Sequence, residues 1–182
     1  MKGFYMSLIR WPHVFAATLL AISLWGLSIG GTVAQSPGKE IGSLEGTWLM
    51  ESAYEIRADG TRTTNYGEHP KGLLTVDAEG RYNLQIFRPD RPAFASGDKA
   101  RGTPEEYSRA VLGSSTHFGK LSIDPAKRQL IFDVEAASFP NWEGKRQVRD
   151  YEYSDGLLTY AVPASASGNG TIAYSIWRRA PR

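Results

Sequence analysis

Two Arg-Pro pairs bracket an aspartate in Arg88-Pro89-Asp90-Arg91-Pro92, and Phe94 and Asp98 follow. A guanidinium is a planar, permanently charged fork that meets a carboxylate or similar acceptor with two parallel hydrogen bonds. Arg88 and Arg91 are therefore candidate donors to a ligand at a pocket mouth. Asp90, Asp98 and Glu106 lie close by in the chain, and pairing with one of them would pin the loop instead. His117 is the histidine that falls within a predicted strand. Facing inward, it can give or take a proton near neutral pH, or serve as a hydrogen-bonded structural residue. Without a cysteine, and without a second histidine near His117, a transition-metal site is not expected. No cofactor is implied.

Arg149 shares a strand face with Gln147, Tyr151 and Tyr153. On an inward face it is a buried charge in need of a partner, a role open to a polar ligand. On an outward face it is solvated and inert. Val148 on the alternate face supports the outward placement, whereas Asp150 and Glu152 on that same face oppose it. In Phe139-Pro140-Asn141-Trp142, Trp142 offers flat aromatic area to an apolar ligand, or plugs the end of the fold. Tyr107 contributes a phenol from the one predicted helix. No Gly-x-Ser-x-Gly nucleophile motif is present, and no phosphate-cradling glycine loop.

The elements that position these residues are short strands cut by turns. Thr47–Ile56 alternates, with Trp48, Met50, Tyr54 and Ile56 on one face. Gly72–Asp77 and Arg81–Arg88 flank Asp77-Ala78-Glu79-Gly80, and Tyr82, Leu84 and Ile86 share a face. Ser115–Asp124 and Gln129–Ser138 form a second hairpin, with Leu130, Phe132, Val134 and Ala136 alternating. Lys145–Ser154 and Leu157–Val162 meet through Asp155-Gly156, a strong turn pair, and Thr171–Arg179 is last. Asn169-Gly170-Thr171 fits a glycosylation sequon but reads first as a turn.

Between the third and fourth of these strands, Thr103-Pro104-Glu105-Glu106 starts a short helix with a capping box and a first-turn proline. Tyr107, Val111 and Ala110 form its apolar stripe, and it should end at Gly113. Too short to stand alone, it must dock on the strands. Eight antiparallel strands in this order predict an all-β, eight-stranded up-and-down barrel, which removes exposed edges. A β-sandwich is the rival fold.

The start Gly46-Thr47-Trp48 resembles the Gly-x-Trp opening of lipocalins, in which the Trp packs across the closed end near a basic residue of the last strand. Trp177-Arg178-Arg179 stands where that residue is expected. Longer blocks carry more: Pro70-Lys71-Gly72-Leu73-Leu74, Arg88–Asp98, Gly102-Thr103-Pro104-Glu105-Glu106-Tyr107, Phe139–Gly144 and Gln147-Val148-Arg149. With them the chain resembles the bacterial and fungal lipocalin-like domain family over about residues 43–179. That resemblance implies the barrel, and little about activity. Ordinary lipocalins carry their helix after the eighth strand, so this helix departs from their plan.

Residues 1–34 read as a secretory signal. Lys2 and Arg10 precede an apolar or small stretch, Val14 to Val33, and Thr32-Val33-Ala34 suits cleavage after Ala34. An uncleaved membrane anchor is the alternative, because about 20 apolar residues span a bilayer. A polar lead-in, 35–45, would then precede a barrel domain over 46–180. Setting aside Lys2 and Arg10 leaves 19 of the 21 basic residues against 19 acidic ones. A neutral body without a basic tract is a poor nucleic-acid surface. Nor is membrane contact expected once the signal is removed.

These features predict an exported protein, periplasmic or secreted, that binds a small, largely apolar molecule in a barrel cavity. The aromatic content of 12% can line such a cavity. One alternative is a barrel enzyme of isomerase or cyclase type, with acid–base groups drawn from His117, Tyr107, Arg88 or Asp98. Another is a filled barrel that serves as a structural or partner-binding module.

Overall fold

A computed structural model describes residues 43–162 and 171–181. The expected signal and most of the lead-in lie outside the described residues, as do Asn169 and Gly170. No helix among the described residues is long and apolar enough to cross a membrane.

The strands are β1 (Gly46–Ile56), β2 (Arg62–Thr63), β3 (Lys71–Val76), β4 (Arg81–Phe87), β5 (Ser114–Asp124), β6 (Gln129–Ala137), β7 (Arg146–Ser154), β8 (Leu157–Val162) and β9 (Ile172–Arg179). β1, β3 and the strands after it pair antiparallel in chain order, and β9 returns to pair with β1. The result is a closed eight-stranded barrel rather than a sandwich. β2 adds a two-residue ribbon to the end of β1. Helix α1 (Pro104–Leu112) follows β4, so its expected place between a third and a fourth strand is corrected. Arg62–Thr63 is too short to produce an alternating pattern, and its presence moves every later strand up by one.

Turn chemistry sets the hairpins. Asp77 accepts from the backbone N–H groups of Glu79 and Arg81 at 3.1 and 2.7 Å, and Gly80 turns at φ +81. Asp155 and Gly156 both take positive φ, as a two-residue hairpin between right-twisted strands requires. Apolar side chains of alternate residues fill the interior: Trp48, Leu74, Leu84, Leu130, Phe132, Leu158, Tyr160 and Trp177 are buried.

At one end the barrel is closed. Trp48 donates its indole N–H to the Leu44 carbonyl at 2.9 Å, and the Arg179 guanidinium lies 4.4 Å over its ring. Arg179 also donates to the carbonyls of Ser43 and Glu45, tying the chain entering β1 to the strand that ends the barrel.

Two bulges re-aim side chains. The β1–β9 register shifts between Met50 and Ser52. Trp48 and Met50 face inward before it, Ala53 and Glu55 after it, and Tyr54 turns outward to stack on Tyr174 at 5.0 Å. Tyr54 and Ile56 therefore do not share the face of Trp48. The β5–β6 register shifts at Phe118/Gly119, leaving Glu135 as the extra residue. Ala137, not Ala136, then packs on the core. Gly119 permits this bulge, because a Cβ there would lie 2.0 Å from the Asp133 carbonyl oxygen.

α1 begins as expected. Thr103 Oγ1 accepts from Glu106 N at 3.2 Å, and Glu106 Oε2 accepts from Thr103 N at 2.7 Å. Its apolar stripe does not dock, however. Val111 is 61% exposed, and no α1 residue is buried. Tyr107 instead packs edge-on against Phe94 of the preceding loop, with ring centroids 5.4 Å apart. Gly113 joins the helix directly to β5, and that short link, with the loop contacts, stands in for a packed face.

Candidate functional site: the barrel cavity

The barrel encloses a cavity of 230 Å³ at the end away from Trp48. A cavity of roughly 150 Å³ already holds a benzene ring. β4, β5, β7, β8 and β9 contribute Leu84, His117, Arg149, Tyr160 and Ser175 to its deeper part. Ile86, Ser115, Val162, Ala173 and Glu55 stand nearer the mouth. Tyr66, Leu112 at the end of α1, and Trp142 in the 3-10 turn Pro140–Trp142 complete the lining.

Arg149 is the most unusual of these residues. It is 2% exposed, so the inward reading of Gln147, Arg149 and Tyr151 holds, and Val148 faces out. Its guanidinium lies 4.1 Å over the Phe132 ring and 5.3 Å from the Tyr160 ring, where the negative ring faces attract a cation. It donates to Gln147 Oε1 at 2.6 Å. Nε has no hydrogen-bond partner among the described residues, and none of the ion pairs found there includes Arg149. Burial pulls its pKa down, against the opposing influence of the Tyr160 and Tyr82 phenols. A guanidinium keeps its proton even so.

His117 is buried beside it, 3% exposed. Tyr82 shares a 2.7 Å hydrogen bond with His117 Nδ1. Burial pushes the Tyr82 phenol up, so the phenol keeps its proton, and the tautomer of the neutral imidazole sets which partner donates. Burial first, and the Arg149 charge second, pull the His117 pKa down to about 3. The ring is neutral throughout the physiological range and packs edge-on to Trp142 at 5.6 Å. Burial likewise raises the Tyr160 phenol, although Arg149, Trp177 and Ser175 lie close enough to oppose it. Tyr160 Oη, like Arg149 Nε, makes no hydrogen bond of good geometry among the described residues.

His117, Trp142 and Arg149 thus meet at one cavity, and the other three residues singled out in the sequence lie outside its lining. Arg88 pairs with Asp90 through two hydrogen bonds of 2.9 and 3.0 Å. Arg91 donates to the Arg88 carbonyl at 3.0 Å and covers the Phe87 ring at 4.5 Å. Both line a separate surface groove of 540 Å³ with Arg109 and Pro92. Tyr107 Oη donates to the Lys99 carbonyl at 2.9 Å and accepts from Gly102 N at 3.0 Å, which staples the loop. Asp98 caps Ala100 N and pairs with Arg101. His117, Tyr107, Arg88 and Asp98 therefore do not converge as an acid–base set.

Tyr82, Tyr160, Ser175, Tyr66 and Glu55 join the cavity or its polar network without having been singled out. The inward face of Tyr82 was legible from its alternation with Leu84 and Ile86. Glu55 was not, because the bulge reverses its face.

A lipocalin-like domain model matches residues 45–180 of the chain. The 4'-hydroxy-3'-methoxypropiophenone carrier protein of Aspergillus oryzae is 27% identical over 108 residues, a match covering 55% of this chain and 97% of that protein.

Proposed function

Because the chain belongs to the lipocalin-like domain family, we propose that it is a carrier that holds a small, largely apolar molecule in its barrel cavity without covalent chemistry. The observation that carries this reading is the 230 Å³ cavity walled by Leu84, Ile86, Trp142, Tyr160 and Val162. Mostly apolar walls with a few placed polar groups are the usual make-up of a small-molecule site. A filled structural barrel would lack that space. The name of the Aspergillus relative points the same way, since an aromatic ketone is small and largely apolar. Residues 1–34, with their charged start, apolar middle and small-residue exit, support export of the carrier before it meets its ligand.

The test is a titration of the purified protein with 4'-hydroxy-3'-methoxypropiophenone and with 4-nitroanisole, read by quenching of Trp142 fluorescence. Saturable quenching that disappears in Trp142→Phe, with binding retained by calorimetry, supports the cavity. Absence of binding to either compound by calorimetry would overturn it. Native mass spectra of the protein taken from its own source give a second reading: a carrier retains an extra mass that leaves on activation. The mass of the isolated chain also tests export, because cleavage after Ala34 removes residues 1–34.

A further inference from the structure

Within that carrier reading, we propose that Arg149 selects the ligand, and that the molecule carried is an aromatic ring bearing an anionic oxygen. The oxygen docks on the guanidinium in the depth of the cavity, and the ring lies toward Trp142.

The argument begins with an uncompensated charge. The ion pairs among the described residues all lie at the surface, with side chains at least 28% exposed. Arg149, the one fully buried cation among those residues, has no such partner. The groups facing it from neighbouring strands are uncharged. His117 on β5 is neutral, and Tyr82 on β4 and Tyr160 on β8 keep their protons. Glu55 on β1 also lines the cavity, but its charge acts on Tyr66 near the mouth and it forms no ion pair with Arg149.

A lone buried cation is costly, and an apolar side chain of the same volume is commonly as stable or more so. An anionic oxygen at this point removes the cost. It accepts from the Arg149 guanidinium, whose Nε, like the neighbouring Tyr160 Oη, makes no hydrogen bond of good geometry among the described residues. A group that takes up both unmet donors is better matched to the site than a neutral carbonyl. Leu84, Ile86, Trp142 and Val162 supply apolar wall beside the uncharged Ser115, Ser175 and Asn65 and the Glu55 carboxyl, and 230 Å³ admits one substituted ring.

The probes are 4-nitrophenol, 4-nitrobenzoate and 4-nitroanisole, which share a ring and differ in the oxygen. Bound 4-nitrophenol is expected to take the yellow phenolate form at a pH where the free compound is mostly protonated, its proton passing to the buffer. At least one of the two acids should bind ~10-fold or more tightly than the neutral ether, as charged hydrogen bonds imply. Which acid it is separates a phenolate ligand from a carboxylate ligand. Arg149→Met should abolish that preference while still binding 4-nitroanisole, and Arg149→Lys should retain part of it. The proposal is overturned if wild-type protein binds the ether as tightly as both acids, or if Arg149→Met leaves acid binding unchanged. Binding of the ether alone leaves the carrier reading standing and removes this one. Failure of all three removes both. The colour change and the probe ranking are measured on wild-type protein, so a poorly folding variant does not void the test.

Discussion

Acidification from about pH 8 to about pH 5 should remove about 2 kcal/mol of folding stability through His117. In the unfolded chain its imidazole titrates near 6.5, and in the folded protein at about 3. The folded value is depressed, so the stabilisation is complete above the unfolded value and is lost as pH falls toward the folded one. At about pH 5 the unfolded chain has bound the proton and the folded protein has not. The gap of about 1.5 pH units, at about 1.36 kcal/mol per unit, gives the 2 kcal/mol. Urea unfolding should register it as a drop of about 1 M in midpoint. Asp133 and Glu135, whose pKa values are lowered by ion pairs with Arg146 and Arg81, act in the same direction but at lower pH, which is why the comparison stops near pH 5. The control is His117→Gln, whose side-chain carbonyl can still accept from Tyr82. Its midpoint should vary far less over the same range. Parallel curves for the two proteins would refute a buried neutral imidazole.

Other outcomes follow from the same geometry. Tyr82 and Tyr160 are raised by burial, so the unfolded chain ionises first and stability should fall as pH rises beyond about 10. Ultraviolet absorbance should report these two phenols ionising only on unfolding. Gly119→Ala drives a Cβ into the Asp133 carbonyl and should cost about 3 kcal/mol or more by urea unfolding. Thr103→Ala removes half of the capping box and should cost about 1 kcal/mol of helix stability, seen as faster amide exchange at residues 105–107. Arg88→Ala breaks the pair with Asp90 and should leave 4-nitroanisole affinity unchanged, because the pair lies outside the cavity.

Strand order, hairpin turns and the helix start were legible because each rests on local chemistry: Asp155-Gly156, Asp77 with Gly80, Thr103 with Glu106. Faces were legible only up to the first bulge. Trp48 and Met50 point inward as their alternation implies, but the extra residue before Ser52 sends Tyr54 outward and brings Glu55 in. Strict alternation carries no mark of such a shift. Gly119 was the one visible hint of the second bulge, and a glycine in a strand has several other uses. Arg149 was ambiguous for a different reason: its strand has polar residues on both faces, and only closure of the sheet decides which face is dry. For Arg88 and Arg91 the local acid and carbonyl acceptors proved the stronger attraction, and the loop uses both arginines to hold itself.

The pairing of β1 with β9 also orders events in time. Trp48 meets Arg179 and Glu55 meets Ala173, so the first long strand made waits for the last. Until β9 arrives, β1 has an open edge, Trp48 lacks its cation, and the cavity lacks Ser175 and Ala173. Contacts so distant along the chain form slowly. A chain delivered from its N-terminus therefore stays an unclosed sheet until nearly all of it has emerged, and the cavity is complete only after the final strand is in place.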